Sequence, residues 1–334
     1  MKNISIALDV MGGDKVPFST VKSLECIKKG DNLKIFLVGE KEKFNHLLSS
    51  LNPDLYSIVE CKKFIPMDKK VGLKLLKETD TTMSVTLRLL KEKKVDVALS
   101  GGNTAAFVAL AISQIGLIKG VERPAIAVLF PNASKGNTIF LDAGSNINAK
   151  PIHFLSSAIM GATYAEIVFG IKKPKVSLLN IGEEETKGDD LRKEAFQLLK
   201  NAKEINFIGN IEGQDIFTGK SDVIVTDGFT GNVVLKTSEG ISRSFKTLLL
   251  RYLRENISGK IATFLIKKNL SQFAKMVDYA EYGGGILLGV DGIVLISHGR
   301  SSPRAIFNAM KLGEKIVKSN FLDIMKEKVK DMES

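Results

Sequence analysis

Short apolar runs alternate with stretches of helical spacing along most of the 334-residue chain. Helical spacing is clearest over residues 79–94, 151–170 and 187–204. Strands that alternate with helices predict an α/β fold, a three-layer sandwich with a mostly parallel sheet. No low-complexity linker divides the chain, so we expect one α/β unit, residues 1–334, of two intertwined halves. The strand-like runs are NISIALDV, LKIFLVG, VDVALS, AIAVLF, NTIFLDA, KVSLLNIG, SDVIVT and GIVLIS.

Polar or glycine-bearing turns follow several of these strands. Parallel strands place their carboxyl ends at one edge of an open sheet, which is where such folds bind ligands. We therefore expect these turns, including residues 142–146 and 297–299, to form a row that lines one cleft. The candidate binding residues in the turns are Asp9, Gly12, Gly13, Asp14, Gly102, Asn103, Thr104, Asn180, Gly228, Thr230 and Gly231.

Two of the strand-turn-helix segments resemble each other, with a constant offset of 222 − 96 = 126 positions. The match has two possible explanations. It is a chance similarity between buried strands followed by helices, or it marks two turns that each bind an anion of the size of phosphate. In the second case, the free N–H groups at each helix N-terminus would hold an anion. Asp96, Val97, Ser100, Gly102 and Thr104 align with Asp222, Val223, Thr226, Gly228 and Thr230.

A nucleotide-binding P-loop is the first candidate for residues 211–232, because Gly213 precedes Gly219-Lys220-Ser221. The P-loop pattern G-x-x-x-x-G-K-[ST] has four residues between its glycines, whereas five residues separate Gly213 from Gly219. In addition, Ser221 leads into a strand instead of a helix. A polar turn is the better interpretation.

The uncharged stretch from Val97 to Ile118 is too polar for a membrane span, so we interpret it as a buried strand and a core helix. Cys26 and Cys61 show no C-x-x-C pattern, and the chain shows no secretory signal. These features indicate a reducing cytoplasm and buried thiols.

The formal net charge is +11, and residues 241–275 carry +7 of it, from eight basic side chains and Glu255. Apolar residues recur there at every fourth position, and Gly259 is expected to divide the helix. We expect residues 241–280 to form a basic amphipathic helical arm that contacts an anionic membrane, an acidic partner or a second copy of the chain, unless it is a core helix with a solvated basic face. The contact residues of this arm are Leu249, Leu253, Ile257, Ile261 and Leu265.

Long motifs spread over the chain resemble those of the bacterial PlsX-type phosphate acyltransferases of phospholipid synthesis. They are ALDVMGGD (7–14), LSGGNTAA (99–106), LDAGSN (141–146), LLNIGEEETKG (178–188), GNIEGQDIFTGKSDVIVTDGFTGNVVLKTSEG (209–240) and YGGGILLGVDG with SHGRS (282–301). The resemblance implies a fold similar to that of isocitrate and isopropylmalate dehydrogenases and phosphotransacetylases. It implies transfer of a long-chain fatty acyl group from acyl carrier protein to inorganic phosphate.

The resemblance further implies a homodimer in the cytoplasm, attached peripherally to the inner face of the cell membrane. The acyl phosphate would pass to an acyl-phosphate-using glycerol-3-phosphate acyltransferase, and neither a cofactor nor a nucleic acid is implied. This chain departs from the pattern at Val10, at Ala105 and at Gly285-Ile286. At Ala105 the family pattern has glycine, so a ligand that contacts this backbone meets an additional methyl group. Gly285-Ile286 replaces an expected Ala-Pro, which should make that loop looser.

In the implied reaction phosphate itself is the nucleophile and a thiolate is a good leaving group. The protein therefore needs only to position the two substrates and to direct hydrogen-bond donors at the developing oxyanion. Lys187 is the best cationic phosphate ligand, with ion pairing to residues 183–185 as the alternative. Asn103 and Asn232 would add side-chain donors. Asp227 is a candidate general base or a plain turn residue, and His298 is a candidate catalytic or structural histidine.

Three other hypotheses are open at this stage. Asp9, Asp14, Asp142 and Asp227 are hard oxygen ligands for a divalent metal, but their separate turns show no fixed ligand spacing, so we expect no metal. A nicotinamide-dependent dehydrogenase would share the fold, although G-x-G-x-x-G is missing after a strand. A non-catalytic membrane-binding regulator is supported only by the basic arm.

Overall fold

The structure is a computed structural model that describes residues 3–134, 136–253, 255, 257–270 and 284–330. Its strands are β1 (Ile4–Asp9), β2 (Leu33–Gly39), β3 (Tyr56–Glu60), β4 (Val97–Ser100), β5 (Ala125–Pro131), β6 (Asn137–Leu141), β7 (Lys175–Leu179), β8 (Asn206–Ile211), β9 (Val223–Val225), β10 (Gly285–Leu288) and β11 (Ile293–Ile296). Its α-helices are α1 (Phe18–Lys22), α2 (Lys41–Phe44), α3 (Leu73–Leu76), α4 (Thr82–Lys91), α5 (Thr104–Gln114), α6 (Pro151–Phe169), α7 (Asp190–Asn201), α8 (Gly228–Leu253), α9 (Ile257–Leu265), α10 (Pro303–Lys318) and α11 (Phe321–Lys330).

The strands form one sheet in the order β3-β2-β1-β4-β11-β10-β5-β6-β9-β7-β8. All neighbours are parallel except the pairs β11–β10, β10–β5 and β5–β6. The predicted α/β class with a mostly parallel sheet is therefore confirmed. Every strand-like run of the sequence becomes a strand.

Three strands were missed by the pattern of apolar residues. β3 and β8 are the edge strands of the sheet, and their half-buried residues lack a continuous apolar run. β10 lies in the glycine-rich stretch that we expected to be a loose loop. That expectation is wrong, because Ile286 is buried and pairs with Ala127 of β5 and Leu295 of β11.

Helices cover both faces of the sheet, which makes the three predicted layers. Successive strand residues point to opposite faces, so Leu8 packs with one layer of side chains and Ala7 with the other. The first layer is completed by α6, α7, α10 and α11, and the second by α4 and α5. Val234 and Leu235 place the first turns of α8 against the second layer as well.

Two apolar segments belong to this core. The uncharged stretch 97–118 contains β4 and α5, as expected. The helix α6 is long and apolar enough to cross a membrane, but most of its apolar window is buried inside the protein, as for a core helix. Cys61 is buried as predicted, whereas Cys26 is only half-buried.

The turns that follow the strands do not form a single row. Those after β1, β4 and β11 lie at one end of the strands, and those after β6, β7 and β9 lie at the opposite end, so the expectation of a single row is wrong. The three successive antiparallel pairings between β11 and β6 reverse the strand direction, and a run of apolar residues does not reveal this reversal. We call the turns after β1, β4 and β11 the Asp9 cluster. We call the turns after β6, β7 and β9, with the first turn of α8, the Asp227 cluster.

Candidate active site

The loop after β6 is organised around the buried carboxylate of Asp142. Its Oδ1 accepts the N–H groups of Ile126, Gly144 and Ser145 at 2.9–3.1 Å. Its Oδ2 accepts the N–H of Asn146 at 2.7 Å and the Ser145 hydroxyl at 2.7 Å. Both carboxylate oxygens are thus occupied by hydrogen bonds from the protein, so the role of Asp142 is to hold the loop in its conformation.

The helix α8 starts in direct contact with this loop. The N–H of Gly228 donates to the carbonyl of Asn146 at 2.9 Å. A Cβ atom at Gly228 would lie 2.7 Å from the backbone of Asn146, and one at Gly231 would overlap the carbonyl oxygen of Asp142. Both positions therefore require glycine, because backbone passes where a side chain would be.

Asp227 caps α8 and holds an arginine that the sequence did not single out. Its Oδ1 accepts the N–H of Thr230 at 2.9 Å, and its Oδ2 accepts the Thr230 hydroxyl and one Nη of Arg192. Arg192 also donates to Thr230 and, through its other Nη, to Asp189. The guanidinium is mostly buried, so this is a shielded ion pair at the base of the cluster.

The pKa of Asp227 is lowered by its surroundings. Burial acts in the opposite direction, but the hydrogen bonds from Thr230 and the charge of Arg192 outweigh it. A carboxylate with a lowered pKa and both oxygens engaged is a weak base. This environment favours the turn-residue interpretation of Asp227 over the general-base interpretation.

The expected pH dependence follows from the direction of this shift. A carboxyl group whose folded-state pKa lies below the ordinary value of 3.8 stabilises the fold above that value, and the stabilisation is lost as the pH falls through the folded-state pKa. We expect Asp227→Asn to lower the free energy of unfolding by about 1–3 kcal/mol at pH 7 and by progressively less below pH 4.

Urea denaturation from pH 3 to pH 7 measures this difference. Asp190→Asn is the control, because Asp190 lies on the neighbouring α7 with a 96% exposed side chain. It should cost less than about 1 kcal/mol at any pH. A cost of Asp227→Asn that stays constant down to pH 3 would contradict the ion-pair assignment.

Lys187 lies in the exposed loop between β7 and α7, beside the same cluster. Its carbonyl accepts the side-chain amide of Asn180 at 3.0 Å. The neighbouring glutamates bind other lysines: Glu183 pairs with Lys220 and Glu185 with Lys200. In the described part of the chain no ion pair joins Lys187 to residues 183–185, which favours the phosphate-ligand interpretation of Lys187 over the ion-pair alternative.

At the opposite edge, the Asp9 cluster is built around a second buried carboxylate. Asp9 accepts the Ser100 hydroxyl at 2.7 Å and the N–H of Met11 at 3.1 Å. Burial raises the pKa of Asp9, although these hydrogen bonds lower it in part. A Cβ atom at Gly12 would lie 2.5 Å from Asp9 Oδ2 and 2.8 Å from the N–H nitrogen of Gly102. The turns after β1 and β4 are thus packed against each other.

Asn103 has a different role from the predicted one. Its Oδ1 caps α5 by accepting the N–H of Ala106, and its Nδ2 donates to the carbonyls of Met67 and Lys69 at 2.9 Å each. Both amide hydrogens are used, so the side chain has no donor left for a ligand. Thr104 and Ala105 are exposed at the start of α5.

The turn after β11 closes the Asp9 cluster. Asp14 donates its N–H to the carbonyl of Gly299 at 2.7 Å and accepts from Arg300 Nε at 3.3 Å. Gly13 has a φ of 130°, a backbone region that favours glycine. Gly13 and Asp14 therefore join the turn after β1 to the turn after β11.

His298 meets α8 at this edge. Its Nδ1 accepts the N–H of Arg300 at 3.1 Å, which places the proton of a neutral ring on Nε2. The Nε2 atom lies 3.2 Å from Lys236 Nζ and 3.5 Å from a carboxylate oxygen of the buried Glu239. Lys236 and Glu239 form an ion pair of 2.9 Å. Neither Lys236 nor Glu239 stands out in the sequence.

One face of α8 therefore joins the two clusters. Asn232, Lys236 and Glu239 are spaced i, i+4 and i+7, which places them on the same side of a helix. Asn232 lies beside Gly144 in the Asp227 cluster, because a Cβ atom at Gly144 would lie 2.7 Å from its Nδ2. One turn later Lys236 contacts His298 in the Asp9 cluster. The exposed side chains of Asn232 and Lys236 form the link.

This arrangement separates the four aspartates of the metal hypothesis. Asp9 and Asp14 lie in one cluster, and Asp142 and Asp227 lie in the other. Among the described residues no group of at least three His, Cys, Asp or Glu side chains is placed to hold a metal ion. Gly213 belongs to a short 3₁₀-helix and Lys220 pairs with Glu183, so the P-loop-like stretch is a polar turn.

The two similar segments fold into the same succession of elements. Each forms a strand, a turn and a helix, as β4 with α5 and as β9 with α8. The aspartate before each strand accepts a backbone N–H from the neighbouring strand: Asp96 from Ser5 and Asp222 from Lys175. The sequence match therefore corresponds to a shared local structure.

The helical arm differs in detail from its predicted form. α8 ends at Leu253 and α9 starts at Ile257, so the break precedes Gly259. Residues 271–280 of the predicted arm lie outside the described part of the chain. Ile257, Ile261 and Leu265 are exposed as expected, whereas Leu249 and Leu253 are half-buried.

The exposed apolar face of α8 instead contains Ile241, Phe245, Leu248 and Tyr252. An α-helix has 3.6 residues per turn, so a stripe at every fourth residue drifts around the helix. The end of α8 packs against α9, and the carbonyl of Leu253 accepts the Thr263 hydroxyl at 3.4 Å. The face is amphipathic, but it is rotated from the predicted stripe.

Comparison with known proteins assigns this architecture to a family. A family model described as "Fatty acid synthesis protein" matches residues 4–324. The chain belongs to this family. A phosphate acyltransferase of Dictyoglomus thermophilum is 44% identical over 318 residues, which cover 94% of each chain. One of Staphylococcus aureus is 37% identical over 327 residues, which cover 98% of each chain. The protein is thus a phosphate acyltransferase-type enzyme.

Solved structures show the same fold at low sequence identity. The EutD phosphotransacetylase from Staphylococcus aureus has a TM-score of 0.59 and 16% identity, over 94% of each chain. A phosphotransacetylase from Streptococcus pyogenes has a TM-score of 0.60 and 17% identity, also over 94% of each chain. The predicted similarity to the phosphotransacetylase fold is confirmed.

Proposed function

We propose that this phosphate acyltransferase moves a long-chain acyl group from acyl carrier protein to inorganic phosphate and releases acyl phosphate. The observation that carries the proposal is the face of α8, which presents exposed donor side chains between the two clusters of turns. The neighbouring carboxylates, Asp9, Asp142 and Asp227, are already satisfied by protein donors. An anion can therefore bind next to them without facing free negative charge.

The reaction requires few chemical groups from the protein. An oxygen of the phosphate dianion attacks the thioester carbonyl carbon, and a C–O bond forms while the carbonyl oxygen becomes an oxyanion. Collapse of this intermediate breaks the C–S bond and releases the carrier thiolate, which takes up a proton in exchange for the one that the phosphate group loses. Because a thiol has a pKa of about 8.5, the thiolate leaves with little acid assistance. The protein can therefore catalyse the reaction by holding the phosphate in place and by directing hydrogen-bond donors at the carbonyl oxygen.

The Asp227 cluster is suited to the phosphate. Lys187 supplies an uncompensated positive charge, and the Asn232 amide supplies a neutral donor at the start of α8. The positive end of the helix dipole adds to both. We assign Asp227 and Arg192 to positioning, because their contacts fix the helix start and leave Asp227 without a free oxygen.

The Asp9 cluster is suited to the thioester. Here Lys236 and the Nε2–H of His298 lie side by side at the end of the link along α8. A cation and an N–H donor at one point stabilise negative charge that develops on a carbonyl oxygen. We assign them to the oxyanion, with Glu239 as the residue that orients both.

The direct test is incubation of the purified protein with palmitoyl-acyl carrier protein and phosphate, without nucleotide or added metal. Release of the carrier thiol should depend on phosphate, and hydroxylamine should trap an equal amount of acyl hydroxamate. Thiol release without phosphate would mean that the protein is a thioesterase. A thermal shift with NAD or NADP, and no thiol release, would instead support the dehydrogenase hypothesis.

We also propose that the apolar face of α8 and α9 attaches the protein to an anionic membrane or to a second copy of the chain. Leu248, Tyr252 and Ile257 expose 54%, 74% and 76% of their surface. Changing all three to Glu should abolish pelleting with anionic liposomes, since the apolar contact is lost. Unchanged pelleting together with conversion of a dimer to a monomer would restrict this face to the dimer contact.

Membrane attachment would place the product close to its consumer. Acyl phosphate carries a long apolar chain and a reactive phosphate anhydride, so transfer at the membrane protects it from hydrolysis. We propose a cytoplasmic enzyme at the inner face of the cell membrane that supplies a glycerol-3-phosphate acyltransferase. Cell fractionation of the wild-type protein and the triple Glu variant tests this location.

A further inference from the structure

The segment between β3 and α4 is a basic surface that the reaction above does not use. Residues 62–77 contain six lysines and one acidic residue, Asp68, which gives a local charge of +5. Ile65 and Leu75 are buried and anchor the segment to the core. The remaining residues from 66 to 74 are exposed without interruption. The surface is therefore held in place by two apolar anchors and turned outward.

Most of its positive charge is not neutralised by the protein. Lys63 pairs with Asp80 at 2.6 Å. In the described part of the chain, no ion pair involves the other five lysines, Lys62, Lys69, Lys70, Lys74 and Lys77. Apolar side chains lie among them: Leu73 exposes 80% of its surface, and Met67 and Val71 expose 43% and 40%. Unpaired lysines around a few apolar contacts form a surface complementary to an acidic, amphipathic partner.

The surface lies next to the Asp9 cluster. The side-chain amide of Asn103 donates to the carbonyls of Met67 and Lys69, which ties the segment to the N-terminus of α5. A Cβ atom at Gly299 would lie 3.0 Å from the Cε of Met67. A protein bound over residues 62–77 would therefore lie beside the turn that carries His298.

The composition distinguishes this surface from the face of α8 and α9. That face exposes large apolar side chains at Ile241, Leu248, Tyr252, Ile257 and Phe264, as expected for a lipid or protein core contact. On residues 62–77 lysines outnumber exposed apolar side chains, so the attraction is mainly electrostatic. The two faces fit different partners.

We propose that residues 62–77 are the docking surface for the acidic acyl carrier protein. This inference rests on the proposed function. Lysines of the segment would contact the carrier's acidic side chains, with Leu73 as the apolar contact. Docking there would deliver the thioester arm to the Asp9 cluster, while phosphate enters at the Asp227 cluster. Affinity for the carrier should fall as the salt concentration rises.

The test compares two variants with the same change in net charge. In the first, Lys69, Lys70, Lys74 and Lys77 are changed to Glu. In the second, the changed lysines are exposed and lie elsewhere on the protein: Lys29, Lys172, Lys193 and Lys203. For the first variant only, we expect the KM for palmitoyl-acyl carrier protein to rise at least about tenfold at low salt. Its kcat and its KM for phosphate should change less than about twofold, because these lysines do not touch the reacting atoms.

Two further measurements separate docking from catalysis. Binding of the carrier protein, measured by fluorescence anisotropy without phosphate, should weaken by the same factor and does not depend on turnover. A palmitoyl thioester of a small thiol, which lacks the carrier protein, should react equally with both variants. Leu73→Ala should raise the KM for the acylated carrier about threefold without affecting the small thioester.

Several outcomes would overturn the proposal. Equal weakening by both variants would mean that only the overall charge matters. Loss of carrier binding in the Leu248, Tyr252 and Ile257 variant, with no loss in the first lysine variant, would move docking to α8 and α9. Loss of liposome pelleting or of the dimer in the first lysine variant would assign residues 62–77 to those contacts. If the wild type binds carrier through these lysines but releases no thiol, the proposed reaction fails and the docking surface stands.

Discussion

Replacement of Lys187 by Ala is expected to lower kcat/KM for phosphate by about 10²–10³-fold, which corresponds to about 3–4 kcal/mol of transition-state stabilisation. The reason is that Lys187 supplies a positive charge in the loop after β7, and no ion pair with a described glutamate neutralises it. Glu183 and Glu185 bind Lys220 and Lys200 instead. Steady-state rates of phosphate-dependent thiol release at varied phosphate concentration measure the effect.

Lys203→Ala is the matched control, because Lys203 is an exposed lysine in the loop that follows α7. It should leave kcat/KM within about twofold of the wild type. Lys187→Arg keeps the charge but changes the donor geometry, so we expect intermediate activity. If Lys187→Ala retained more than about a third of the wild-type kcat/KM, Lys187 would not be a phosphate ligand.

Replacement of Gly231 by Ala is expected to destabilise the fold by about 3 kcal/mol and to reduce activity. A Cβ atom at this position would overlap the carbonyl oxygen of Asp142. Because the hydrogen bonds of the Asp142 carboxylate fix the loop that carries this carbonyl, the first turn of α8 has to move away. That movement displaces Asn232, the neighbouring donor. Chemical denaturation and the phosphate KM report the two effects.

Gly240→Ala in the same helix is the control for glycine itself. No atom lies within 4 Å of a Cβ atom at Gly240, so the substitution meets no obstacle. Alanine should stabilise this helix position by about 0.5–1 kcal/mol, because glycine is a poor helix former. If the two substitutions had the same sign and size, the close approach between α8 and the Asp142 loop would be wrong.

The fold class was predictable from local pattern. Buried parallel strands are continuous apolar runs, and each such run, for example residues 125–130 or 293–296, becomes a strand of the sheet. Edge strands such as β3 escape this pattern because they bury fewer side chains. The central strand β10 escaped it because glycine-rich sequence usually indicates a loop.

The candidate site was predictable only in part. Turn residues such as Gly228 and Thr230 are visible in sequence, since strand-turn-helix segments have recognisable composition. Arg192 and Lys236 are ordinary helix residues by sequence. They become site residues because Arg192 meets Asp227 and Lys236 meets His298 across long chain separations. Asn103 shows the reverse case, where a suitable donor is used up by the carbonyls of Met67 and Lys69.

The sequence by itself determined the α/β class, the family membership and the presence of glycine-bearing turns after the strands. These properties depend on local composition and on motifs that neighbouring residues define. Only the tertiary structure decided that the turns form two clusters at opposite edges of the sheet, which α8 connects. The reason is physical: strand direction within a sheet is set by pairing between distant segments, and apolar periodicity is the same for a strand in either direction.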